Sequence, residues 1–262
     1  MTLSRRSFLL RTASTLGALQ LAGIRAHAAE PMRVTHYHSI PPFSWSDDKN
    51  VMHGIFIDVL DEALHRRLGI PLVHLGYPWV RAQKMVMDGE ADAFCTVPTP
   101  ERRAYTVISE EPIMTVTFRI YAQRNNPAMD RLKKVKSLDD LKGFLIAAYI
   151  GSGWARDKLA GMQVDWAPNP DSVLMKIASG RNDVYIDASE VQRKRITALG
   201  LEEKLVELPQ VIDTQSYNLC IRKTSHYRTI LPKFDKVLRQ MRHDGSLAAI
   251  YRKYDVLPTG KK

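Results

Sequence analysis

The sequence predicts a two-lobed α/β protein, each lobe a mostly parallel sheet flanked by helices, with two crossovers forming a hinge. Three observations predict it. Strand-like and helix-like segments alternate from residue 33 onward, the pattern of parallel sheets built with right-handed crossovers. The alternation runs twice without any repeat of sequence, and the chain then finishes in helix. After a removable N-terminal segment about 234 of the 262 residues remain, enough for two small domains or one large one.

The elements follow in order. Arg33-Val34-Thr35-His36-Tyr37 reads as a strand, followed by a loop with Pro41-Pro42 and Asp47-Asp48-Lys49-Asn50. Between Ile55 and Leu68 the apolar residues Phe56, Val59, Leu60, Ala63, Leu64 and Leu68 fall at helical spacing, with Asp61, Glu62, Arg66 and Arg67 outside the stripe. Gly69 ends that helix. Residues 71–75 read as a strand, 80–87 as a helix stopped near Gly89, and 91–94 as a short strand. In the second unit 115–123 is a strand, and Ser137-Leu138-Asp139-Asp140 is a capping box opening a short helix. Strands are expected at 144–149, 163–166 and 183–186, with helices from Trp154, over 172–178 and over 189–199. Two separate strands, 204–208 and 217–222, precede terminal helices over 231–242 and 246–254.

The first 28 residues read as an address. Arg5-Arg6 stands before an apolar run from Phe8 to Leu21, and Ala26-His27-Ala28 supplies small residues for cleavage after Ala28. This is a secretory signal, and the paired arginines followed by Phe8-Leu9 resemble a twin-arginine signal. Arg11 and Arg25 leave the run short of the roughly 20 apolar residues a membrane anchor needs. A periplasmic location is therefore expected. Residues 1–28 carry four arginines and no acid, so the formal charge of +10 falls to +6.

That excess is spread along the chain except for Arg131-Leu132-Lys133-Lys134-Val135-Lys136 and Lys261-Lys262. No aromatic–basic interleaving or zinc-finger spacing appears, which argues against nucleic-acid binding. A mild positive field favours anionic or zwitterionic ligands. Cys95 and Cys220 are too few for a disulfide framework. Two buried thiols are the plain reading, a single disulfide the alternative. Gly151-Ser152-Gly153 is not a nucleophile elbow, and no phosphate loop is present. His36 and His38 share one strand face but lack a nearby third metal ligand. No cofactor and no metal are expected.

Taken in order along the chain, a set of short motifs resembles the type II periplasmic solute-binding proteins of amino-acid ABC transporters, family 3. They are Pro41-Pro42-Phe43, Gly54-Ile55-Phe56-Ile57-Asp58-Val59-Leu60, Pro78-Trp79-Val80-Arg81-Ala82, Gly89-Glu90-Ala91-Asp92-Ala93 and Thr99-Pro100-Glu101-Arg102. Leu138-Asp139-Asp140-Leu141-Lys142-Gly143, Gly180-Arg181-Asn182-Asp183 and Asp244-Gly245-Ser246 complete the set. The resemblance covers nearly all of the mature chain. It implies residues 29–113 as the first part of lobe 1, 114–214 as lobe 2, and 215–262 as the return to lobe 1 with the terminal helices. Hinge points are expected near Glu111-Pro112-Ile113 and Asp213-Thr214-Gln215.

The resemblance also implies an interlobe cleft for a small polar ligand, an amino acid or related carboxylate. Arg102 would take the ligand carboxylate, as a guanidinium can through two parallel hydrogen bonds. Thr99 would add a donor or cap the following helix. Trp79 would pack a ring on the ligand, with Tyr37 and Phe43 flanking the same cleft and Arg81 on its rim. On lobe 2, Ser152 sits at a turn and helix start, and Asp187 stands where the family places a carboxylate for the ligand ammonium. Asp187 follows Asp183 one residue sooner than usual, so Ser189 and Glu190 are alternatives, and Asp213 or Gln215 can reach in from the second crossover. The strand end that is serine-rich in the family is Cys95-Thr96-Val97-Pro98 here, so the resemblance does not fix the ligand. The implied partner is an ABC permease and the implied state a monomer. Alternatives are a cyclohexadienyl-dehydratase-like enzyme on the same scaffold, or a ligand-loaded partner of a membrane sensor.

Overall fold

A computed structural model describes residues 30–256. The signal and cleavage site expected over residues 1–28 lie outside the described residues.

Strand β1 (Met32–Tyr37) leads into a small antiparallel sheet of β2 (Ser39–Ile40), β3 (Ser44–Ser46) and β4 (Met52–His53). Helix α1 (Ile55–Leu60) then continues into a π-helical turn, Asp61–Arg66. The 55–68 periodicity therefore yields one helix of two windings, with Ala63 and Leu64 still buried on its core side. Strand β5 (Leu72–Tyr77), helix α2 (Trp79–Asp88) and strand β6 (Ala93–Thr96) follow. Next come α3 (Pro100–Tyr105), β7 (Thr106–Ile108) and the long strand β8 (Met114–Gln123).

The second lobe adds α4 (Met129–Leu132), β9 (Ile146–Tyr149), α5 (Gly153–Lys158) and β10 (Val164–Ala167). It closes with α6 (Pro170–Ala178), β11 (Val184–Ala188) and α7 (Ser189–Ala198). The expected capping box forms a single 3₁₀ turn, Asp139–Leu141, whose Asp140 carboxylate accepts from the Lys136 and Ser137 backbone N–H groups at 2.9 and 3.0 Å.

Strand β12 (Leu205–Arg222) corrects the expectation of two separate strands. Residues 209–216 between them are themselves extended and pair antiparallel with β8, with register shifts between Glu207 and Asp213. The turn-like look of Pro209 is absorbed by that irregularity, where the Pro209 carbonyl accepts from Arg119. The chain ends in α8 (Leu231–His243) and α9 (Ser246–Lys253).

The large sheet has the order β10-β9-β11-β8-β12-β6-β1-β5, with β7 also on β12. β1 pairs parallel with β5 and β6, and β9 parallel with β10 and β11. β8 and β12 are the antiparallel members, and β12 runs from beside β8 to beside β6. One face of this sheet carries a continuous core reaching from Val34, Phe56 and Leu238 to Ile120, Ile146 and Trp154. Two smaller cores lie apart from it, one around Tyr121, Leu174 and Tyr185, the other around Val86, Phe94 and Cys220. Cys95 pairs with Leu219, and Cys220 with Phe94, so the two thiols point to opposite faces of the sheet. Both are free and buried, which corrects the single-disulfide alternative. No helix among the described residues is long and apolar enough to cross a membrane.

Candidate functional site

Where the lobes meet, a cavity opens at the C-terminal ends of β1 and β6 and against the turn before α5. Tyr37, Trp79, Arg102, Ser152 and Asp187 all line it.

Arg102 comes from α3, whose start is fixed by Pro100 in the first turn and by Thr99 as N-cap. Its guanidinium is buried, the residue being 3 % exposed. Nε donates to Gln83 Oε1 at 3.0 Å and Nη1 to the Val97 carbonyl at 2.7 Å. Nη2 reaches the Gly151 carbonyl across the cleft at 3.5 Å. No carboxylate lies within ion-pair distance of it among the described residues. Burial lowers the affinity of Arg102 for its proton, because removal from water disfavours the charged form. The guanidinium carbon also lies 5.3 Å from the centre of the Trp79 ring, and Tyr37 stacks on that ring at 6.5 Å.

Asp187, at the end of β11, faces the cavity from the other lobe. Its carboxylate accepts from the Ala188 N–H at 2.8 Å, from Gln192 Nε2 at 2.9 Å and from the Tyr185 hydroxyl. Burial nonetheless pushes its pKa up, against those hydrogen bonds and the charge of Arg195. The cavity thus carries a cation on one wall and a carboxylate on the other.

Ser152 caps α5, its Oγ accepting from the Ala155 N–H at 3.2 Å. The glycines beside it permit close approach. A Cβ on Gly153 would sit 2.9–3.2 Å from the Arg102 guanidinium, and one on Gly151 would meet Val80 Cγ2 at 3.0 Å.

Phe43 and Thr99 do not line the cavity. Phe43 is fully buried behind it, with ring centres 5.3 and 5.2 Å from Phe56 and Tyr217, which do line it. The Pro41-Pro42 loop folds back, the Phe43 N–H donating to the Ile40 carbonyl at 2.8 Å. Thr99 spends its hydroxyl as the N-cap of α3. Ser189 bonds Thr117, and neither it nor Glu190 lines the cavity. Asp213 holds the cavity-lining Trp154 through its indole N–H at 2.7 Å, and also accepts from Gln215. Arg81 lies over Tyr77 at 4.6 Å.

Sequence reasoning missed His36, Tyr149, Trp154 and Tyr217 as lining residues. His36 sits near the carboxyl end of a predicted strand, the usual place for ligand contacts in open α/β sheets, which was the available signal; Tyr217 opens its predicted strand and carried none. His36 pairs with His74 rather than His38, its Nε2 lying 2.9 Å from His74 Nδ1.

Several contacts cross the cleft. Arg195 on α7 donates to the Ser39 carbonyl of lobe 1 and to Asp171. Gln83 reaches Gly151 at 3.4 Å, and Arg156 lies 3.7 Å from Glu101.

The family model of bacterial extracellular solute-binding proteins, family 3, matches residues 32–256. The probable amino-acid-binding protein YxeM of Bacillus subtilis (strain 168) is 24 % identical over 219 residues, covering 81 % of this chain and 79 % of its own. Among solved structures, a histidine kinase sensor domain with similarity to periplasmic binding proteins superposes with a TM-score of 0.74 at 22 % identity, over 87 % of this chain and 97 % of its own. The ancestral amino acid-binding protein AncCDT-1, a precursor of cyclohexadienyl dehydratase, gives 0.66 at 24 % identity, over 86 % and 95 %. These structural likenesses speak to the fold.

Proposed function

The chain belongs to the family 3 bacterial extracellular solute-binding proteins, and from that premise we propose that it captures an α-amino acid between its lobes for delivery to an ABC permease. The observation that carries the reading is Arg102, a buried guanidinium on the cavity wall without a carboxylate partner among the described residues. A buried charge calls for a counter-charge, and a ligand carboxylate supplies it with bidentate geometry. Asp187 opposite receives the ammonium, and Trp79 with Tyr37 supplies apolar ring surface. Residues 29–113 and 215–262 form lobe 1, residues 114–214 form lobe 2, and the signal at residues 1–28 directs export to the periplasm.

Closure follows from the same contacts. The ligand binds Arg102 and Trp79 first, and contacts from Asp187 and the 151–153 turn then favour the closed form. A ligand shifts this equilibrium by its differential affinity for the two forms. The test is thermal unfolding of the purified protein against amino acids, opines and small carboxylates. A ligand at about 100 times its Kd adds roughly 2.7 kcal/mol of stability. A shift confined to α-amino acids supports the reading, and a panel without any shift overturns it.

A second reading, a dehydratase-like enzyme on this scaffold, is favoured by one observation. Asp187 is a cavity-facing carboxyl with a raised pKa, the property of a general acid. Turnover of prephenate or arogenate separates catalysis from capture.

A further inference from the structure

Three titratable groups form a chain from the surface of lobe 1 to the cavity. Asp61 opens the π-helical turn after α1, with its side chain 39 % exposed. Its Oδ1 lies 3.1 Å from Nε2 of His74 on β5. His74 Nδ1 lies 2.9 Å from Nε2 of His36 on β1, and His36 lines the cavity.

The order of hydrogens along this chain follows from its ends. A carboxylate only accepts, so His74 carries its hydrogen on Nε2. With His74 Nδ1 as the acceptor of the 2.9 Å contact, His36 carries its hydrogen on Nε2. His36 Nδ1 is left as a bare acceptor. Burial, with His74 adding to it, holds the pKa of His36 well below its ordinary value, which keeps the ring neutral. Among the described residues Nδ1 has no hydrogen-bond partner. His36 lines the cavity, so this acceptor is the group it has left to offer an occupant.

We propose that His36 is a specificity-determining residue that reads a hydrogen-bond donor on the ligand side chain, and that Asp61 and His74 act as positioning residues that fix its tautomer. The inference rests on the amino-acid reading above. With Arg102 and Asp187 taken by the α-carboxylate and α-ammonium, the side chain is the part of the ligand left to His36. The ligand class is then an amino acid bearing a hydroxyl, amide or cationic N–H group. A side chain that only accepts, or that is wholly apolar, leaves the His36 acceptor desolvated and unpaired, a substantial penalty in a closed site.

The experiment is isothermal titration of the purified protein with four matched pairs: L-threonine and L-valine, L-asparagine and L-aspartate, L-glutamine and L-glutamate, L-lysine and L-norleucine. The donor member of at least one pair is expected to bind about ten- to a hundredfold tighter than its partner. His36→Phe keeps a ring and removes the acceptor, and should bring that ratio to within about threefold. Asp61→Asn, on the partly exposed end of the chain, should lower the same ratio while leaving the thermal midpoint nearly unchanged, and Asp61→Glu should restore it. Pairs bound equally by the unaltered protein overturn the inference alone. So does a ratio unmoved by Asp61→Asn, or a His36→Phe variant that loses both members of a pair by the same factor. Failure of every α-amino acid to bind overturns the parent reading, and the inference with it.

Discussion

Replacing Arg102 by Met separates a ligand-binding arginine from a structural one. The substitution removes three hydrogen bonds, to Gln83, Val97 and Gly151. Bonds from a charged donor contribute about 1.5–3 kcal/mol each. It also removes a cation that is 3 % exposed and has no carboxylate beside it among the described residues, which lifts a desolvation penalty of several kcal/mol, on the order of the bonds lost. The two terms oppose, so the ligand-free protein should change in stability by no more than about 2 kcal/mol. The complex has no such offset. Loss of one partner of a buried, hydrogen-bonded charge pair costs about 2–5 kcal/mol, or about 30- to 5,000-fold in Kd. The assay is thermal unfolding and calorimetric titration of both proteins with the amino acid giving the largest shift. An Arg102→Met protein that binds within threefold of the original, or one that is severely destabilised without ligand, refutes the reasoning.

Three further outcomes are expected. Asp187→Asn should weaken amino-acid binding by about 2 kcal/mol or more and change the pH dependence of ligand-free stability. The folded-state pKa of Asp187 lies above its ordinary value of 3.8, so the stability it contributes is complete below that value and lost as pH rises through the raised one. Denaturant curves at a series of pH values should show this loss in the parent and its absence in the variant, where Gln192 can turn its unpartnered Oε1 toward the new amide; parallel pH curves count against the assignment. Gly153→Ala should push the Arg102 guanidinium aside, since the new Cβ falls 2.9–3.2 Å from its atoms, and weaken binding at least tenfold, about 1.4 kcal/mol, as read by titration. Arg195→Leu removes the contacts to Ser39 and Asp171 and should raise the ligand-free radius of gyration in X-ray scattering, while an unchanged profile would show that this arginine does not hold the lobes together.

The strand–helix alternation was legible because burial imposes its own period on the sequence. The apolar stripe on 55–68 buries Phe56, Val59, Leu60, Ala63 and Leu64 as drawn, although the widening at Asp61 left no mark, since π and α turns bury nearly the same residues. The crossover 209–216 looked like a loop because Pro209, Gln210 and Asp213 are poor strand formers. Its extension comes from pairing with β8, a long-range effect that local preference does not carry. Motif order pointed to Arg102, Trp79 and Asp187, which line the cavity. It also pointed to Phe43, which packs behind the cavity, and Thr99, which takes the capping role that was one of its two expected ones, because a motif marks which residues matter locally without saying whether a side chain packs, caps or faces the cleft. His36 was weighed as half of a metal pair with His38. Its actual partner, His74, lies 38 residues away on the neighbouring strand, and such pairing depends on the register between β1 and β5.

The shared strand β12 has a consequence for how the molecule comes apart and together. Residues 205–212 pair with β8 in one lobe, and residues 218–222 complete the other beside β6 and β7. Neither lobe has its full sheet until more than four-fifths of the sequence is available, and α8 and α9, which follow, cover the α1 side of lobe 1. Expressed alone, residues 30–204 would leave β6 and β8 as bare edges, an invitation to aggregate. The intact chain should melt in one calorimetric transition rather than two, with the amides of β8 and β12 among the last to exchange.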